Sequence, residues 1–499
     1  MAIDPARQNV RGAAQDFTGV RAEFGLPSDY PTSALVEAEQ AVSAGWTGWG
    51  GWPDREDATD LPLVTIDPPG AKDLDQAMLL RRRPRGGFRL DYAIADVAHF
   101  VRPGGALDTE ARRRGQTLFL PDEAVPLHPA LLSQDAASLL PDQVRPAVLW
   151  TVDCDADGEP TFVYVRRAIV RSVAQYDFDT VRCELLHGIP HPSFAALPEF
   201  GRLRREHAVN RGAVELQLPE QQVVADEDGG WRLVLRSRVD VEAWNAELSL
   251  LTGMSAAQLM LEAGIGVLRT LPEADTDTMV SLRERARTLG IAWPEDVSAT
   301  EMLAELDPIR PEALAFHVDA TRLLRGAGYS VLDTDGGVIA RTTGHAGLGA
   351  AYTHVTAPLR RLVDRFAAEV CLAVCAETEV PEWVRAALPN LPALMASSDA
   401  LAARVERTCL AQVGSWMLAD RIGEVFPAVV LHAEARNGSG EVFVADPPVL
   451  AKCVGDNLPE GERISVRLID ADPVRRKVMF APYSPDEMPP AGAGGISRQ

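Results

Sequence analysis

The segment TIDPPGAKDLDQAM, from Thr65 to Met78, contains three carboxylates within nine residues. They are Asp67, Asp73 and Asp75. The short apolar run 63–66 predicts a strand that ends just before the first of them. The Pro-Pro-Gly sequence that follows breaks regular structure. Asp67 is therefore expected at the carboxyl end of a strand, and the other two carboxylates after a tight loop.

This acidic cluster has two interpretations. Neighbouring carboxylates repel one another, and burying them without partners costs free energy. A divalent cation relieves that repulsion, and hard oxygen ligands of this kind suit Mg²⁺ or Mn²⁺. The alternative is an acidic surface loop, since the chain contains 71 Asp and Glu residues.

Two later segments indicate which family the chain is similar to. Residues 90–133 read LDYAIADVAHFVRPGGALDTEARRRGQTLFLPDEAVPLHPALLS, and residues 347–365 read GLGAAYTHVTAPLRRLVDR. Together with the Asp-rich segment, and in this order, they resemble the catalytic domain of the ribonuclease II and ribonuclease R family, called the RNB fold. Three long matching segments are far more specific than one short motif. The resemblance extends over about residues 25–485.

The resemblance and the apolar periodicity predict an α+β protein. An RNB catalytic domain over residues 61–425 would hold a mixed sheet flanked by helices. The predicted strands are 88–97, 147–152 and 162–170, and a hairpin is predicted over 211–238. The predicted helices are 241–268, 311–326, 359–376 and 397–422.

Shorter segments are expected on either side of that domain. Residues 1–60 predict a small helical module and linker, with Ser33 as the N-cap of a helix over 33–42. They are too few for the two cold-shock barrels that precede the catalytic domain in larger family members. Residues 426–485 contain five short apolar strands and resemble an S-one-type OB fold, an all-β RNA-binding barrel. The Pro- and Gly-rich tail 486–499 is expected to be disordered.

The resemblance also assigns catalytic roles. Asp67, Asp73 and Asp75 fall on three of the family's four metal-binding aspartates, and the fourth falls on Gln76. An amide oxygen can ligate a metal, but it brings no charge and cannot act as a base. Asp75, assisted by Asp73, is expected to be the carboxylate whose loss stops chemistry. Arg360 matches the family arginine that contacts the scissile phosphate.

A second group of residues is expected to contact substrate. Phe119 matches the family tyrosine that stacks on the 3′-terminal base, and a core Phe on a strand is the alternative. The remaining candidates for substrate contacts are Arg361, Tyr352, Glu247 and Glu406. The two glutamates match acidic residues near the product end of the family's channel. Their surroundings match less well, because Gly253 stands where the family usually has Asn.

Composition limits the other possibilities. A net charge of −22 argues against non-specific nucleic-acid binding by the whole surface. Arginine clusters such as 81–83 and 112–114 could bind phosphate, or could be solvated faces. Six scattered cysteines without a CxxC motif indicate neither a zinc site nor a redox site. With no run of 18 apolar residues and no signal-like start, we expect a cytoplasmic monomer that does not bind membranes.

The resemblance implies a hydrolytic, processive 3′→5′ exoribonuclease. It would use Mg²⁺ or Mn²⁺ to release nucleoside 5′-monophosphates from single-stranded RNA, with structured RNA as a further candidate substrate. One alternative is an RNA-binding protein that has lost catalysis through Gln76. Another is a metal-dependent phosphohydrolase of small phosphoesters, which the OB-like domain and the Phe119 motif disfavour.

Overall fold

The computed structural model describes residues 15–45, 55–434 and 438–484, except for 217, 237, 238, 308, 335 and 338–342. The predicted disorder of residues 486–499 lies outside these ranges. In the described part of the chain, every helix is too short or too polar to cross a membrane.

The first third of the predicted catalytic domain is a five-stranded barrel. Its strands are β1 (Glu56–Ile66), β2 (Gln76–Arg82), β3 (Phe88–Ala95), β4 (Val144–Cys154) and β5 (Pro160–Tyr176). Successive strands pair antiparallel, and the parallel pairing of β1 with β5 closes the barrel. The predicted mixed sheet is confirmed, but its closure was not predicted, because it depends on pairing between strands about 100 residues apart.

Helices and two short hairpins make up most of the remaining regular structure before the carboxyl-terminal strands. The helices are α1 (Thr18–Phe24), α2 (Thr32–Ser43), α3 (Ala106–Arg114), α4 (Phe178–His187), α5 (Leu197–Asn210), α6 (Asp240–Ala263), α7 (Thr276–Thr288), α8 (Ala299–Glu305), α9 (Pro311–Ala320), α10 (Leu362–Cys375), α11 (Glu382–Ala387) and α12 (Leu391–Leu418). The hairpins are β6 (Glu220–Ala225) with β7 (Trp231–Arg236), and β8 (Ile265–Thr270) with β9 (Gly328–Asp333). The first hairpin was predicted, and the second was not.

Alternate residues of the barrel strands pack into two different apolar clusters. Val64, Met78, Tyr92 and Trp150 belong to the cluster that includes α6 and α10. Their neighbours along the strands belong to a second cluster, rich in alanine, that includes α2 and α3. Strands β2, β3 and β4 are therefore buried on both faces over much of their length, which explains their largely apolar sequence.

Several predicted element boundaries are wrong for local reasons. The helix predicted over 241–268 ends at Ala263, because Gly264 takes a left-handed conformation (φ +70°) and Ile265 begins β8. Ser33 is not the N-cap of α2, since the helix begins at Thr32 after Pro31 and has no side-chain cap. The helix predicted over 359–376 begins only at Leu362.

The carboxyl-terminal strands form a second closed barrel. They are β10 (Val425–Glu434), β11 (Ser439–Ala445), β12 (Pro448–Val454), β13 (Arg463–Asp472) and β14 (Lys477–Pro482). The order is β10-β11-β12-β14-β13, with β12 and β14 parallel, which is the OB topology that was predicted. This barrel shares an apolar cluster with α1, β7 and α12, so it is packed firmly on the catalytic domain.

Charged residues of the two long matching segments form buried ion pairs. Asp96 accepts hydrogen bonds from Arg55 at 2.7 Å and from Arg167 at 2.5 Å, and Arg167 also pairs with Glu369 of α10. Burial would raise the pKa of Asp96, but Arg167 and Arg55 outweigh it and hold that pKa well below its usual range. Elsewhere, the buried pair Asp108–Arg365, at 2.8 Å, joins α3 to α10.

The Asp96 network predicts a large stability effect. Asp96→Asn should lower the free energy of unfolding by about 3–5 kcal/mol at neutral pH, because Arg55 would lose its buried carboxylate partner and Arg167 would lose one of the carboxylates it pairs with. Because the folded pKa of Asp96 is lowered, its contribution is present above about pH 4 and fades as the pH falls through the folded pKa. Urea unfolding measures both effects. Asp296→Asn, at an exposed position, is the matched control, and equal midpoints for the two variants would contradict the prediction.

Candidate active site

Asp75 connects two segments that are far apart in the sequence. Its side chain is 2% exposed and lies just before β2. One carboxylate oxygen accepts a hydrogen bond from the backbone N–H of Leu359 at 2.7 Å, and the other accepts one from Nε of Arg360 at 2.7 Å. The partners are separated by 284 and 285 residues. The structure thus brings together two of the predicted catalytic residues, Asp75 and Arg360.

The loops on both sides of this junction are fixed by further polar contacts. The hydroxyl of Ser138 accepts from the N–H of Leu74 at 2.9 Å and donates to the carbonyl of Lys72 at 2.6 Å. Asp364, fully buried in the first turn of α10, accepts from the N–H of Ala357 at 2.7 Å and pairs with Arg361 at 2.9 Å. Residues 357–361 are therefore held in a defined loop, and that loop replaces the start of the predicted helix.

Gln76 uses both ends of its amide within the protein. Its Nε2 donates to the carbonyl of Thr356 at 2.6 Å, and its Oε1 accepts from the hydroxyl of Tyr92 at 2.9 Å. An aspartate here would be shorter and would have no N–H to donate. These contacts favour a structural link between the two segments over the metal-ligand role expected for Gln76.

Asp67 lies close enough to Asp73 and Asp75 for their negative charges to act on it. Asp67 follows β1 directly, as predicted, and one of its oxygens is buried without a hydrogen-bond partner. Burial raises the pKa of Asp67 to about 7, and the negative charges of Asp75 and Asp73 add to this effect. Burial also raises the pKa of Asp75 to about 6, although Arg360 opposes the shift. The three carboxylates therefore repel one another in a poorly solvated site.

The fit of these residues to a divalent cation is good but incomplete. An unpartnered buried oxygen and two raised carboxyl pKa values are what a cation would correct. In the ranges that the structure describes, however, no three Asp, Glu, His or Cys side chains already converge to hold an ion. Asp75 is turned toward Arg360, and each of its oxygens keeps one free lone pair. The residues that would hold an ion here are Asp67, Asp73 and Asp75, once their side chains turn toward it.

Phe119 is exposed to solvent rather than buried in a core. Its side chain is 59% exposed on a short hairpin in which Leu118 and Val125 exchange backbone hydrogen bonds of 2.9 and 2.8 Å. At the base of this hairpin, the N–H of Thr117 donates to the carbonyl of Arg360 at 2.9 Å. The alternative of a core Phe is wrong, and the ring is connected through the backbone to the candidate phosphate-binding arginine.

The ring of Tyr352 packs directly against Gly253. Tyr352 is buried, and a Cβ atom at Gly253 of α6 would lie only 2.2 Å from Cε2 of its ring. The tyrosine ring therefore occupies the space that a larger residue at 253 would need. The hydroxyl of Tyr329 lies 2.6 Å from Nδ1 of His354, and burial lowers the pKa of His354, so that histidine is neutral.

The two candidate glutamates lie apart from this junction. Glu247 is buried in α6, where burial raises its pKa and the charges of Arg204 and Arg211 oppose the shift. Glu406 is exposed on α12. Among the described residues, neither forms an ion pair with Arg360 or Arg361, so their expected role in substrate binding gains nothing from the geometry.

Three supporting residues were missed from the sequence. Tyr92 and Thr356 lie within the matching segments, but their partner is Gln76, which no local pattern indicates. Asp364 could have been found, because an acidic residue three positions after Arg361 at the start of a helix predicts an ion pair.

Two family models match this chain. The model of the RNB domain matches residues 55–375, and the model of the RNase II-type exonuclease C-terminal S1 domain matches residues 424–483. Ribonuclease R of Chlamydia muridarum is 27% identical over 366 residues, which are 71% of this chain and 51% of that protein. The chain thus spans about half the length of that relative.

Solved structures share the fold. RNase R of Mycoplasma genitalium, solved in complex with ribose-methylated single-stranded RNA, has a TM-score of 0.82 and 20% identity, covering 94% of this chain and 77% of that one. A yeast pseudonuclease has a TM-score of 0.67 and 18% identity, covering 83% and 53%. At these identities the likeness establishes architecture alone.

The raised carboxyl pKa values predict pH-dependent cation binding. Protons compete with the cation for Asp67 and Asp75, so Mn²⁺ should bind at least about tenfold more tightly at about pH 8 than at about pH 5.5. Without a cation, these two groups stabilise the fold less as the pH rises from about 4 through 7, because the folded protein holds their protons more tightly. Calorimetric titration with Mn²⁺ at both pH values measures the difference. Affinity that does not change with pH, or that survives Asp67→Asn, would contradict the assignment.

Proposed function

The chain belongs to the RNB family, and on that premise we propose that it is a hydrolytic, processive 3′→5′ exoribonuclease. It would degrade single-stranded RNA to nucleoside 5′-monophosphates with Mg²⁺ or Mn²⁺. The observation that carries this proposal is the junction at Asp75, whose carboxylate bonds Leu359 and Arg360 beside two further carboxylates. A site of this kind can hold a metal ion and a phosphate next to each other.

Each residue of the junction has a distinct part in the reaction. Asp67, Asp73 and Asp75 would hold the metal ion, which supplies charge neutralisation and an activated water. Arg360 donates a hydrogen bond from Nε to Asp75, and its side chain is 41% exposed. Its remaining N–H groups can therefore donate to a phosphate and stabilise developing negative charge without transferring a proton. Asp75 thereby also sets the direction of the arginine.

Phe119 supports an RNA substrate. An exposed aromatic ring can stack on a base of any identity, as a sequence-independent exonuclease requires. The backbone bond from Thr117 to Arg360 fixes the ring relative to the phosphate-binding group. The OB barrel, packed on the catalytic domain through α12, would supply a second surface for single-stranded RNA.

A catalytically weakened RNA-binding protein is the second candidate. It is favoured by the uncharged Gln76, which stands where the family has an aspartate. The hydrogen bonds of Gln76 disfavour this candidate, because they link β2 and β3 to the loop before α10 and so help to hold Asp75 and Arg360 together.

Loss of the central carboxylate should abolish cleavage. With 5′-labelled single-stranded RNA and Mg²⁺ or Mn²⁺, the wild-type protein should produce a short 5′ limit product, and Asp75→Asn should slow cleavage by about a hundredfold or more while still binding RNA. Asp296→Asn is the control, since that residue is exposed. If the wild-type protein binds RNA but never cuts it with either metal, the second candidate replaces the first.

Gln76→Asp separates the two interpretations of that position. The variant removes the bond to the Thr356 carbonyl and adds a fourth negative charge to the cluster. We therefore expect the cleavage rate to fall roughly tenfold or more. Single-turnover cleavage at saturating metal gives this rate. An increase in rate would show instead that residue 76 is a metal ligand and that a negative charge there improves catalysis.

A further inference from the structure

The hairpin that carries Phe119 is attached to the core by the buried side chains of Leu118, Leu120 and Val125, which belong to the apolar cluster shared with α1, α12 and the OB barrel. Two backbone hydrogen bonds, between Leu118 and Val125, hold its strands together. An isolated two-stranded hairpin of this size is marginally stable in water. At its base it is secured, because the N–H of Leu127 donates to the Thr117 hydroxyl at 3.0 Å and Thr117 bonds Arg360. Its tip, residues 121–124, is exposed or half-buried and lies outside that cluster, so its position depends on polar contacts.

Arg21 of α1 supplies that contact. Its two terminal nitrogens donate to the two carboxylate oxygens of Asp122, each at 2.8 Å, and Nη2 also donates to the carbonyl of Glu123 at 2.7 Å. This two-pronged geometry fixes orientation as well as distance. Burial would raise the pKa of Asp122, but the bond to Arg21 lowers it below its usual range. Arg21 thus forms hydrogen bonds with both the side chain and the backbone of the turn.

Tyr30 contacts the second strand of the hairpin, next to Val125. Its hydroxyl donates to the carbonyl of Pro126 at 2.5 Å. The guanidinium of Arg114, which also donates to that carbonyl at 3.0 Å, lies 3.8 Å from the centre of the Tyr30 ring. A second bond, from Arg114 to the carbonyl of Asp29 at 2.8 Å, ties α3 to the same segment.

The segment that provides these contacts is itself anchored. Phe17, at the start of α1, is fully buried, and its ring meets Trp231 of β7 and Trp416 of α12 edge-on at 5.5 Å. The indole of Trp231 donates to the carbonyl of Gln15 at 2.9 Å. Arg21 therefore reaches the hairpin from a helix that is packed on the core next to the OB barrel.

We propose that Arg21 and Tyr30 are positioning residues that hold the Phe119 hairpin against the catalytic domain. Through it they would set where the 3′ end of the RNA rests relative to Arg360. The inference rests on the proposed function and goes beyond it, because it gives residues 15–45 a part in substrate positioning. These residues touch the hairpin from outside, so they act on RNA only through Phe119.

The test measures the hairpin and the reaction separately. In Arg21→Ala, exchange of the Leu118 and Val125 amide hydrogens should rise about tenfold without RNA present. On 5′-labelled single-stranded RNA, the limit product should become longer and less uniform. KM should rise about three- to tenfold with kcat nearly unchanged, because the ring is displaced while the metal site is intact. Phe119→Ala should shift the limit product in the same direction and further.

Two variants serve as controls. Arg287→Ala removes an exposed arginine of α7 far from the hairpin in sequence, and should leave all three readouts unchanged. The charge swap Arg21→Asp with Asp122→Arg should recover at least half of the lost protection and of the limit-product shift.

Each outcome points to one conclusion. Unchanged amide exchange in Arg21→Ala would show that Arg21 does not hold the Phe119 hairpin. Faster exchange with an unchanged limit product would overturn its role in positioning RNA. A wild-type protein that does not cut RNA would overturn the proposed function, and the exchange data would still report whether Arg21 holds the hairpin.

Discussion

The bonds from Leu359 and Arg360 to the buried carboxylate of Asp75 are the constraint on which the site depends. They join the first barrel to the loop before α10 across more than half of the chain, and Gln76 repeats the connection one residue later through Thr356. With both bonds in place, the side chain of Arg360 is held beside the carboxylate cluster. Its backbone carbonyl accepts a hydrogen bond from the N–H of Thr117, at the base of the Phe119 hairpin. One junction thus sets the distances among the groups that would bind metal, phosphate and base.

The charged residues of the matching segments mostly build the fold. Asp96 and Asp108 are buried against arginines, and Glu110 pairs with Arg113 and Arg114. Within the arginine cluster 112–114, Arg114 is buried in an ion pair, whereas the side chain of Arg113 is 55% exposed, so the cluster combines internal pairing with a solvated face. Internal pairing of this kind lets an acidic chain keep many arginines without a basic surface, and it makes the domain sensitive to the loss of single charges.

Much of the architecture could be predicted from local pattern, and the failures have physical causes. The strand ending before Asp67, the hairpin over 211–238 and the OB strands follow from apolar alternation and turn residues. The end of α6 could have been found, because glycine commonly ends helices in the left-handed conformation that Gly264 adopts. The role of Gln76 could not, since its partners Tyr92 and Thr356 are brought to it only by tertiary packing.

Anomalous diffraction from crystals grown with Mn²⁺ at about pH 8 tests the central claim most directly. The structure predicts a metal peak within about 2.3 Å of oxygens from Asp67, Asp73 and Asp75, with Gln76 still bonded to Thr356 and Tyr92. A peak ligated by Gln76 with those bonds broken, or no peak beside Asp67, would contradict it.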